Sequence, residues 1–297
     1  GNCFSLTSIN IPKNVVNLGY ETFIDNLALT SVYFDAINAQ YNIKETYFPY
    51  CGIKTITFGN DVVNIPKYLL FNNDSIQTIY ISPNVTHIGD SAFLRCSVDT
   101  LYYNARRCEA PLSYESAWFR ISPNLKTVFI GDSVEEIPSY FLSNNFTVTK
   151  LVLSNSVRRI SYHAFFSCWH LKNLTLGINV DTIDDYIFDN VFALDTLILY
   201  KNTPVQITNK TFSSVRSFIT VIVPCVSVND YQEAQYWDNF TNYQSLGYTF
   251  LNIDTTINTG DTLNLFGLSF AEDSIYHDTI SNDSTCDTIL TLTLHVL

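Results

Sequence analysis

Apolar residues recur along the chain in a pattern with a period of about 23 residues. The stretch from Val148, VTKLVLSNSVRRISYHAFFSCWH, is followed from Leu171 by LKNLTLGINVDTIDDYIFDNVFA, and apolar residues coincide when the two are aligned. Repeats of this length are typical of solenoids, in which each unit is too small to bury its own apolar face and must stack on its neighbours. The pattern therefore predicts a repeat fold over most of the chain.

The first apolar residues of the units mark about ten repeats, spaced 22 to 27 residues apart. These residues are Leu6, Leu29, Ile53, Ile76, Val98, Leu125, Val148, Leu171, Leu194 and Phe218. Further apolar residues follow three and five positions later, so each unit carries the LxxLxL segment of a leucine-rich repeat. The alternation predicts a strand, and the shared register predicts one parallel sheet roughly 45 Å long. We therefore expect a mainly β solenoid.

Most units continue with a second apolar pair, such as Val157 and Ile160, which predicts a short strand on the opposite wall of the coil. The units that start at Leu29 and Val98 lack this pair and are expected to be rich in loops. One later position holds Asn or Cys, and we expect these side chains to bond the main chain of the neighbouring coil. The position is occupied by Asn26, Asn73, Cys96, Asn145 and Cys168, and Cys3 and Cys51 lie in or near its equivalents.

The chain changes character towards its C-terminus. VIVPCVSV is predicted to be the last strand of the solenoid, and Asn229 with Gln232 predicts a helix cap in the segment that covers its open end. Residues 252–297 contain seven acidic residues and no Lys or Arg, and alternating stretches within them predict strands. We therefore expect two domains, a capped solenoid over residues 1–250 and a small acidic β module over residues 251–297.

Composition excludes several classes of protein. With 46% apolar and 15% charged residues the chain can form a large ordered core. A net charge of -12 without clustered Lys and Arg argues against a nucleic-acid partner. The longest apolar run, from Phe218 to Val228, is interrupted by Pro224 and is shorter than the roughly 20 residues of a membrane helix, so we expect no membrane span in this chain. Because Cys3 fits a unit whose earlier part is absent, we expect the natural array to extend beyond residue 1.

The cysteines do not indicate a disulfide framework. Four of the seven occupy or adjoin the Asn or Cys position, and the others have no evident pairing: Cys108, Cys225 and Cys286. Cys168 lies near His163 and His170 in the sequence, and a thiol enzyme requires a thiol and an imidazole within hydrogen-bond reach. The place of Cys168 in the repeat favours a structural role instead.

Other catalytic or metal-binding patterns do not support a site. No HExxH, CxxC, GxSxG or phosphate-binding glycine loop occurs in the sequence, and Gly59, Gly131 and Gly177 stand singly after strands and are interpreted as turn residues. The acidic tail offers four candidate calcium ligands, Asp254, Asp261, Asp273 and Asp283. Their spacing matches no known loop, and solvated surface charge is the favoured interpretation. We expect no enzyme activity, cofactor or bound metal.

The outward positions of the predicted sheet carry the candidate binding residues. Alternation places two residues of each strand on the solvent side. Tyr80, Tyr102 and Phe129 lie on consecutive strands and are expected to form a contiguous aromatic patch of the kind enriched at interfaces. The candidate site also includes Tyr33, Val152, Thr78, Thr100 and Thr127. Aromatic and β-branched residues favour strands whatever the function, so a purely structural role is the alternative.

Three units, LTSINIPKNVVNLGYETF, IQTIYISPNVTHIGDSAFLRC and LKTVFIGDSVEEIPSYF, resemble the repeats of BspA-like leucine-rich repeat surface proteins, which are abundant in Bacteroidetes. The resemblance covers roughly residues 3–246 and includes the closing segment VIVPCVSVNDYQEAQYWDNF. The tail, with TGDTLNLFGLSF and CDTILTLTLHV, is similar to a small β module of secreted proteins in that phylum. The resemblance implies an extracellular or cell-surface location and adhesion or protein binding, without a shared catalytic or ligand motif.

Two functions are considered. The first is a non-enzymatic adhesion protein whose sheet face binds a host or microbial protein or glycan. The alternative is a structural spacer of a surface protein with no ligand site on its repeats. A binding module predicts loss of binding from mutations on the sheet face, whereas a spacer predicts tolerance there and sensitivity to the length of the array.

Overall fold

The structure is a computed structural model that describes residues 5–16, 18–19, 22–37, 48, 51–281 and 286–297. Two residues singled out in the sequence, Cys3 and Asp283, lie outside these described residues.

One long parallel sheet runs through the repeats. Within the described ranges it has eleven strands in chain order, each paired with those of the neighbouring coils. They are β1 (Ser8–Ile11), β2 (Ser31–Phe34), β3 (Thr55–Phe58), β5 (Thr78–Ile81), β7 (Thr100–Tyr103), β8 (Thr127–Ile130), β10 (Lys150–Val152), β12 (Asn173–Leu176), β14 (Thr196–Leu199), β15 (Thr220–Val223) and β16 (Asn242–Ser245).

The register of this sheet follows the repeat of the sequence. Leu151 pairs with Leu174, and Ile56 pairs with Ile79. These inward side chains are almost completely buried, because each coil covers the apolar edge of the previous one. The predicted mainly β leucine-rich repeat solenoid is thereby confirmed.

Short strands form the opposite wall of the coils, as the second apolar pair predicts. They are β4 (Asn64–Ile65), β6 (His87–Ile88), β9 (Glu136–Ile137), β11 (Arg159–Ile160) and β13 (Thr182–Ile183). This wall divides into β4–β6 and β9–β11–β13 at the coil that starts at Val98. That coil carries a 3-10 turn (Tyr114–Ser116) and the buried Trp118, whose Nε1 donates to the carbonyl of Ile88 at 3.0 Å. The prediction that this unit is rich in loops is confirmed.

Buried Asn and Cys side chains connect successive coils. Asn73 Nδ2 donates to the carbonyl oxygen of Phe48 at 3.1 Å, and Cys168 Sγ donates to that of Leu142 at 3.1 Å. Asn73 Oδ1 also accepts hydrogen bonds from two backbone N–H groups of the following turn. The predicted bonding to the neighbouring coil is therefore confirmed for both residue types.

Gly177 was interpreted as a simple turn residue, but the structure shows that it also lies against the backbone of the preceding coil. A Cβ at this position would lie 2.4 Å from the carbonyl oxygen of Ser154 and 2.9 Å from Asn155 Cα in the preceding coil. At Gly59 and Gly131 an added Cβ would meet polar side chains of the preceding coil at 2.1 Å and 2.2 Å. At Gly177 glycine is needed because the backbone of the preceding coil approaches too closely for a side chain.

The solenoid ends in a cap of short helical turns: a 3-10 turn (Cys225–Ser227), helix α1 (Val228–Glu233) and a second 3-10 turn (Trp237–Asn239). Tyr231 and Trp237 are buried in it, and Trp237 Nε1 donates to the carbonyl of Val205 at 2.8 Å. The predicted cap at Asn229 is wrong. Helix α1 begins at Val228, and its N-cap is Ser227, two residues before the predicted one, with no side-chain capping bond, because the chain enters it directly from a 3-10 turn.

Two further details at the end of the array differ from the prediction. Strand β15 is not the last strand, because β16 pairs with it in parallel, with Val221 opposite Tyr243. Phe218, expected as the first apolar residue of its unit, is 64% exposed, and Ile219 is buried instead. The ring of Phe218 lies under the guanidinium of Arg216.

The C-terminal residues form a small mixed sheet and a hairpin. The strands are β17 (Tyr248–Ile257), β18 (Leu263–Leu265), β19 (Leu268–Phe270), β20 (Ser274–Ile280) and β21 (Asp287–Val296). Strand β21 lies in the centre, parallel to β17 and antiparallel to β20, while β18 and β19 pair with each other. Phe270, Leu292 and Leu294 form the core of this part. The division between domains at residues 250 and 251 stays a prediction, and β17 runs across it.

A disulfide joins the cap to this C-terminal sheet. Cys225 and Cys286, for which the sequence shows no evident pairing, are bonded to each other across a sequence separation of 61 residues. The pairing could not be derived from the repeat because neither cysteine occupies a repeated position. Near the junction, Asn202 Nδ2 donates to the carbonyl of Phe250 at 2.9 Å, and Asn202 Oδ1 accepts from the hydroxyl of Thr249 at 2.7 Å. These contacts fasten the C-terminal sheet to the last coils.

Candidate binding face of the main sheet

Three aromatic side chains project from adjacent strands on the outer face of the main sheet. Tyr80 on β5 is opposite Tyr102 on β7, which is opposite Phe129 on β8. The three are 38%, 36% and 49% exposed, whereas the residues before and after each of them in the strand are buried. The structure thus brings these predicted site residues together in solvent, and their role in binding stays a prediction.

The three rings form a continuous stack, which we call the aromatic ridge (Tyr80, Tyr102 and Phe129). The ring centroids are 4.4 Å and 4.7 Å apart, with interplanar angles of 7° and 13°. This spacing follows from the sheet, whose strands lie about 4.8 Å apart. Tyr102 has a neighbouring ring on each face, so the ridge presents ring edges rather than ring faces to solvent.

The other predicted residues surround the ridge unevenly. Val152 on β10 is the register partner of Phe129 and is 44% exposed. Tyr33 on β2 is also exposed, but Thr57 on β3 separates it from the ridge. The adjacent outward row carries threonines in register with one another, half-buried at Thr78 and Thr100 and exposed at Thr127.

Two clefts adjoin the ridge. One, of about 330 Å³, runs beside all three rings at the C-terminal ends of their strands, where Asn60, Ser82 and Asn104 line it. The other, of about 390 Å³, lies over β8 and β10. Its walls are Phe129 and Val152, and its polar lining includes Lys126, Lys150 and Ser154. The ridge therefore has a polar uncharged cleft on one side and a cleft with two ammonium groups on another.

Cys168 is not placed for nucleophilic catalysis. Burial raises the pKa of its thiol to about 12, and the thiol donates to a main-chain carbonyl. Burial also lowers the pKa of His163, an effect that Asp189 at 3.9 Å opposes. Only a thiolate is an effective nucleophile. The structural role favoured from the sequence agrees with this environment, and no catalytic function is indicated.

The acidic residues of the tail have local partners. Asp254 lies 3.2 Å from His295, Asp261 accepts a hydrogen bond from Asn258, and Asp273 accepts one from a backbone N–H. In the described part of the chain, no group of three or more His, Cys, Asp or Glu side chains is arranged to hold a metal ion.

A second row of aromatic side chains, two of them exposed and one half-buried, was not predicted from the sequence. Phe146, Trp169 and Phe192 occupy one position of three successive coils, and Trp169 and Phe192 are 52% and 53% exposed. The rings of Phe146 and Trp169 are 5.0 Å apart. The spacing of 23 residues was a usable signal. The row lies between strand segments, however, where alternation does not say which side chains face solvent.

Comparisons with known proteins give a consistent result. The family model for the BspA type leucine rich repeat region matches residues 1–108 and 113–243, in six copies. No curated protein matches the chain significantly. No helix in the described ranges is long and apolar enough to cross a membrane.

Three solved structures are similar to this chain. A leucine-rich repeat protein from Bacteroides ovatus is 15% identical, with 85% of this chain and 77% of that chain covered and a TM-score of 0.43. A leucine rich cell surface protein from Faecalibacterium prausnitzii is 12% identical, with coverage of 82% and 79% and a TM-score of 0.32. A leucine-rich repeat protein from Eubacterium ventriosum is 12% identical, with coverage of 83% and 75% and a TM-score of 0.32.

Proposed function

Because this chain belongs to the BspA-type leucine-rich repeat family, we propose that it is an extracellular or cell-surface adhesion protein. Its ligand site is the outer face of the main sheet, and its partner is a host or microbial macromolecule, either a protein or a glycan. The observation that carries this proposal is the aromatic ridge of Tyr80, Tyr102 and Phe129.

The ridge is not required by the solenoid itself. The same outward position holds Asn10, Thr57 and Thr175 in other coils, so the fold tolerates small polar side chains there. Stacking contributes about 0.5–1.5 kcal/mol per pair, which a structural role also provides. Three exposed aromatic rings nevertheless stack side by side on this face, and aromatic side chains are enriched where proteins bind partners. We therefore favour binding over the spacer function.

The proposed location is supported by the disulfide between Cys225 and Cys286. Disulfides form and persist in oxidising compartments, such as the periplasm and the cell exterior, and are rare in the reducing cytosol. The disulfide and the family membership thus both support an extracellular or cell-surface protein.

The proposal is tested by binding of the purified chain to arrays of host matrix proteins, mucins and glycans. In the ridge variant Tyr80→Ser/Tyr102→Ser/Phe129→Ser, we expect the Kd of any partner found to rise at least about 30-fold, equivalent to about 2 kcal/mol at a hot spot. Circular dichroism and thermal melting establish that the variant is folded.

A matched control is Tyr162→Ser/Trp169→Ser/Phe192→Ser, which removes three aromatic side chains that are 39%, 52% and 53% exposed and lie off the outward rows of the sheet. We expect this control to bind normally. Equal losses in both variants would indicate non-specific hydrophobic binding. Unchanged binding by a folded ridge variant would reject the sheet face as the site. No binding by either the unmodified chain or the ridge variant would favour the spacer.

A further inference from the structure

Positive charge borders one side of the aromatic ridge. Lys126, Lys150 and Lys172 lie at the N-terminal ends of three successive strands, β8, β10 and β12, and all three are exposed. Within the described ranges, the ion pairs formed by Lys and Arg use other side chains. Asp99 and Asp195 precede the strands on either side, so the positive stretch is limited to three strands.

The positive charge of Lys126, Lys150 and Lys172, which we call the lysine border, contrasts with the negative net charge of the molecule. The chain has a net charge of -12, and Lys150 is the one charged residue in the outward rows of the described strands of the main sheet. An ammonium group without a carboxylate partner keeps its attraction for an anion in solution, although salt weakens it. The ridge therefore lies beside a local attraction for negative charge.

The cleft over β8 and β10 combines this charge with an apolar wall. Phe129 and Val152 provide apolar surface, and Lys126 and Lys150 line the same cleft of about 390 Å³. A suitable ligand has an apolar side chain next to a carboxylate. Both features occur within two or three residues of many polypeptides.

We propose that the aromatic ridge and its lysine border bind an extended acidic segment of a protein. This inference rests on the proposed function and names the chemistry of the partner. Carboxylates of the segment pair with Lys126 and Lys150, and an apolar or aromatic side chain of the segment packs in the cleft beside Phe129.

Ring geometry favours a polypeptide over an acidic glycan. Sugars stack on exposed faces of aromatic rings, but both faces of Tyr102 are covered by the neighbouring rings. The outer face of Phe129 lies next to its register partner Val152. Only the outer face of Tyr80, over the small Thr57, is open to a sugar. Ring edges pack well against side chains and other rings, which a polypeptide supplies.

The dimensions also suit an extended chain. Lys126 and Lys172 precede strands two spacings apart, which corresponds to about 10 Å across the sheet. Side chains on one face of an extended peptide repeat every two residues, or about 7 Å. Two carboxylates at positions i and i+2 can therefore reach two of the three ammonium groups together.

Fluorescence anisotropy with labelled twelve-residue peptides tests this inference. The first peptide alternates Glu with Val around a central Phe, the second has Lys in place of Glu, and sodium polygalacturonate serves as the acidic glycan probe. We expect the Glu peptide alone to bind, with a Kd that rises when NaCl increases from about 50 mM to about 300 mM.

The test variant Lys126→Gln/Lys150→Gln is expected to bind the Glu peptide about fivefold to tenfold more weakly. The matched control is Lys54→Gln/Lys210→Gln, which changes the net charge equally. Lys54 occupies the position before β3 that Lys126 occupies before β8, and Lys210 lies off the sheet over the ring of Tyr186. We expect the control pair to change the Kd less than twofold.

Several outcomes would overturn the inference: no binding of the Glu peptide, equal effects of the two lysine pairs, or binding of polygalacturonate without the peptide. The ridge variant, tested on the same peptides and on the partner arrays, separates this result from the proposed function. Array binding that needs the ridge, with no binding of the Glu peptide, rejects the acidic segment alone. Array binding that is independent of the ridge rejects both.

Discussion

Asn145 and Cys168 show that one position of the coil accepts two different side chains. Asn145 Nδ2 reaches the carbonyl of Phe119 at 3.5 Å, and Cys168 Sγ reaches that of Leu142 at 3.1 Å. Both are small donors directed at the preceding coil, so the requirement is one hydrogen bond within a limited volume. The sequence could reveal this position because Asn or Cys recurs there in most units up to Cys168, at a spacing of about 23 residues. The same reasoning could not find the bond between Cys225 and Cys286, since each occurs once outside the repeat.

Cys168 is expected to resist alkylation in the folded protein. Its pKa of about 12 leaves almost no thiolate at pH 8, and its side chain is buried. Treatment with iodoacetamide at pH 8, followed by peptide mass spectrometry, should find Cys168 unmodified in the native protein and fully modified in urea. Rapid modification of the native thiol would show that it is accessible and would reopen a catalytic role.

Among the elements, strands were predictable wherever apolar residues alternate. Strands such as β5 and β14 bury alternate side chains, and their positions follow from the LxxLxL segments. Strand β16 reads NYQS and has no fully buried residue, so its pairing with β15 depends on main-chain bonds that the pattern does not show. The prediction of a helix cap at Asn229 is wrong for a similar reason, since the sequence pattern does not show the preceding 3-10 turn, which sets the start of the helix.

Replacing Gly177 by Ala is expected to destabilise the stacking of two coils. The added methyl would lie 2.4 Å from the carbonyl oxygen of Ser154, and backbone atoms cannot move aside as a side chain can. We expect a loss of about 3 kcal/mol in the free energy of unfolding, measured by urea denaturation.

Gly19→Ala is the control for this prediction, because among the described residues its methyl would meet the hydroxyl of Thr22, at 3.2 Å, and no backbone atom. A change of about 0.5 kcal/mol or less is expected there. If the two variants were equally stable, close approach of the coils would not be the reason for glycine at position 177.

At the scale of the whole molecule, the aromatic ridge could be predicted from the sequence, but the lysines beside it could not. Alternation alone puts Tyr80, Tyr102 and Phe129 on one face, because strands in register place equivalent residues side by side. The lysine border escaped prediction because Lys126 precedes its strand while Lys150 lies within one. Their proximity depends on the path of the chain into each strand, which the repeat pattern does not specify.

The disulfide is expected to hold the C-terminal sheet against the cap. Closing a loop with the observed separation of 61 residues removes entropy from the unfolded chain equivalent to about 4 kcal/mol. The double variant Cys225→Ser/Cys286→Ser should therefore melt several degrees lower in the transition of the C-terminal sheet, measured by differential scanning calorimetry.

Cys108→Ser provides the comparison, since Cys108 is a free thiol in the described structure. The Cys108→Ser variant should melt at the same temperature as the unmodified protein in the transition of the C-terminal sheet. An unchanged transition in the double variant would mean that Asn202 and its neighbours fasten this sheet without help from the covalent bond.

The shared register of the coils gives the molecule a modular length. A coil that is removed or duplicated as one whole unit brings together two coils whose strands already match, as β10 matches β12 and β12 matches β14. Gain or loss of a unit therefore changes the reach along the solenoid axis in steps of about 4.8 Å. The ridge and its lysine border occupy five adjacent strands, β5 to β12 in the main sheet. The length of the molecule and its proposed ligand surface can thus change independently in evolution, because duplication of coils outside these strands lengthens the molecule and leaves the ridge and the lysines unaltered.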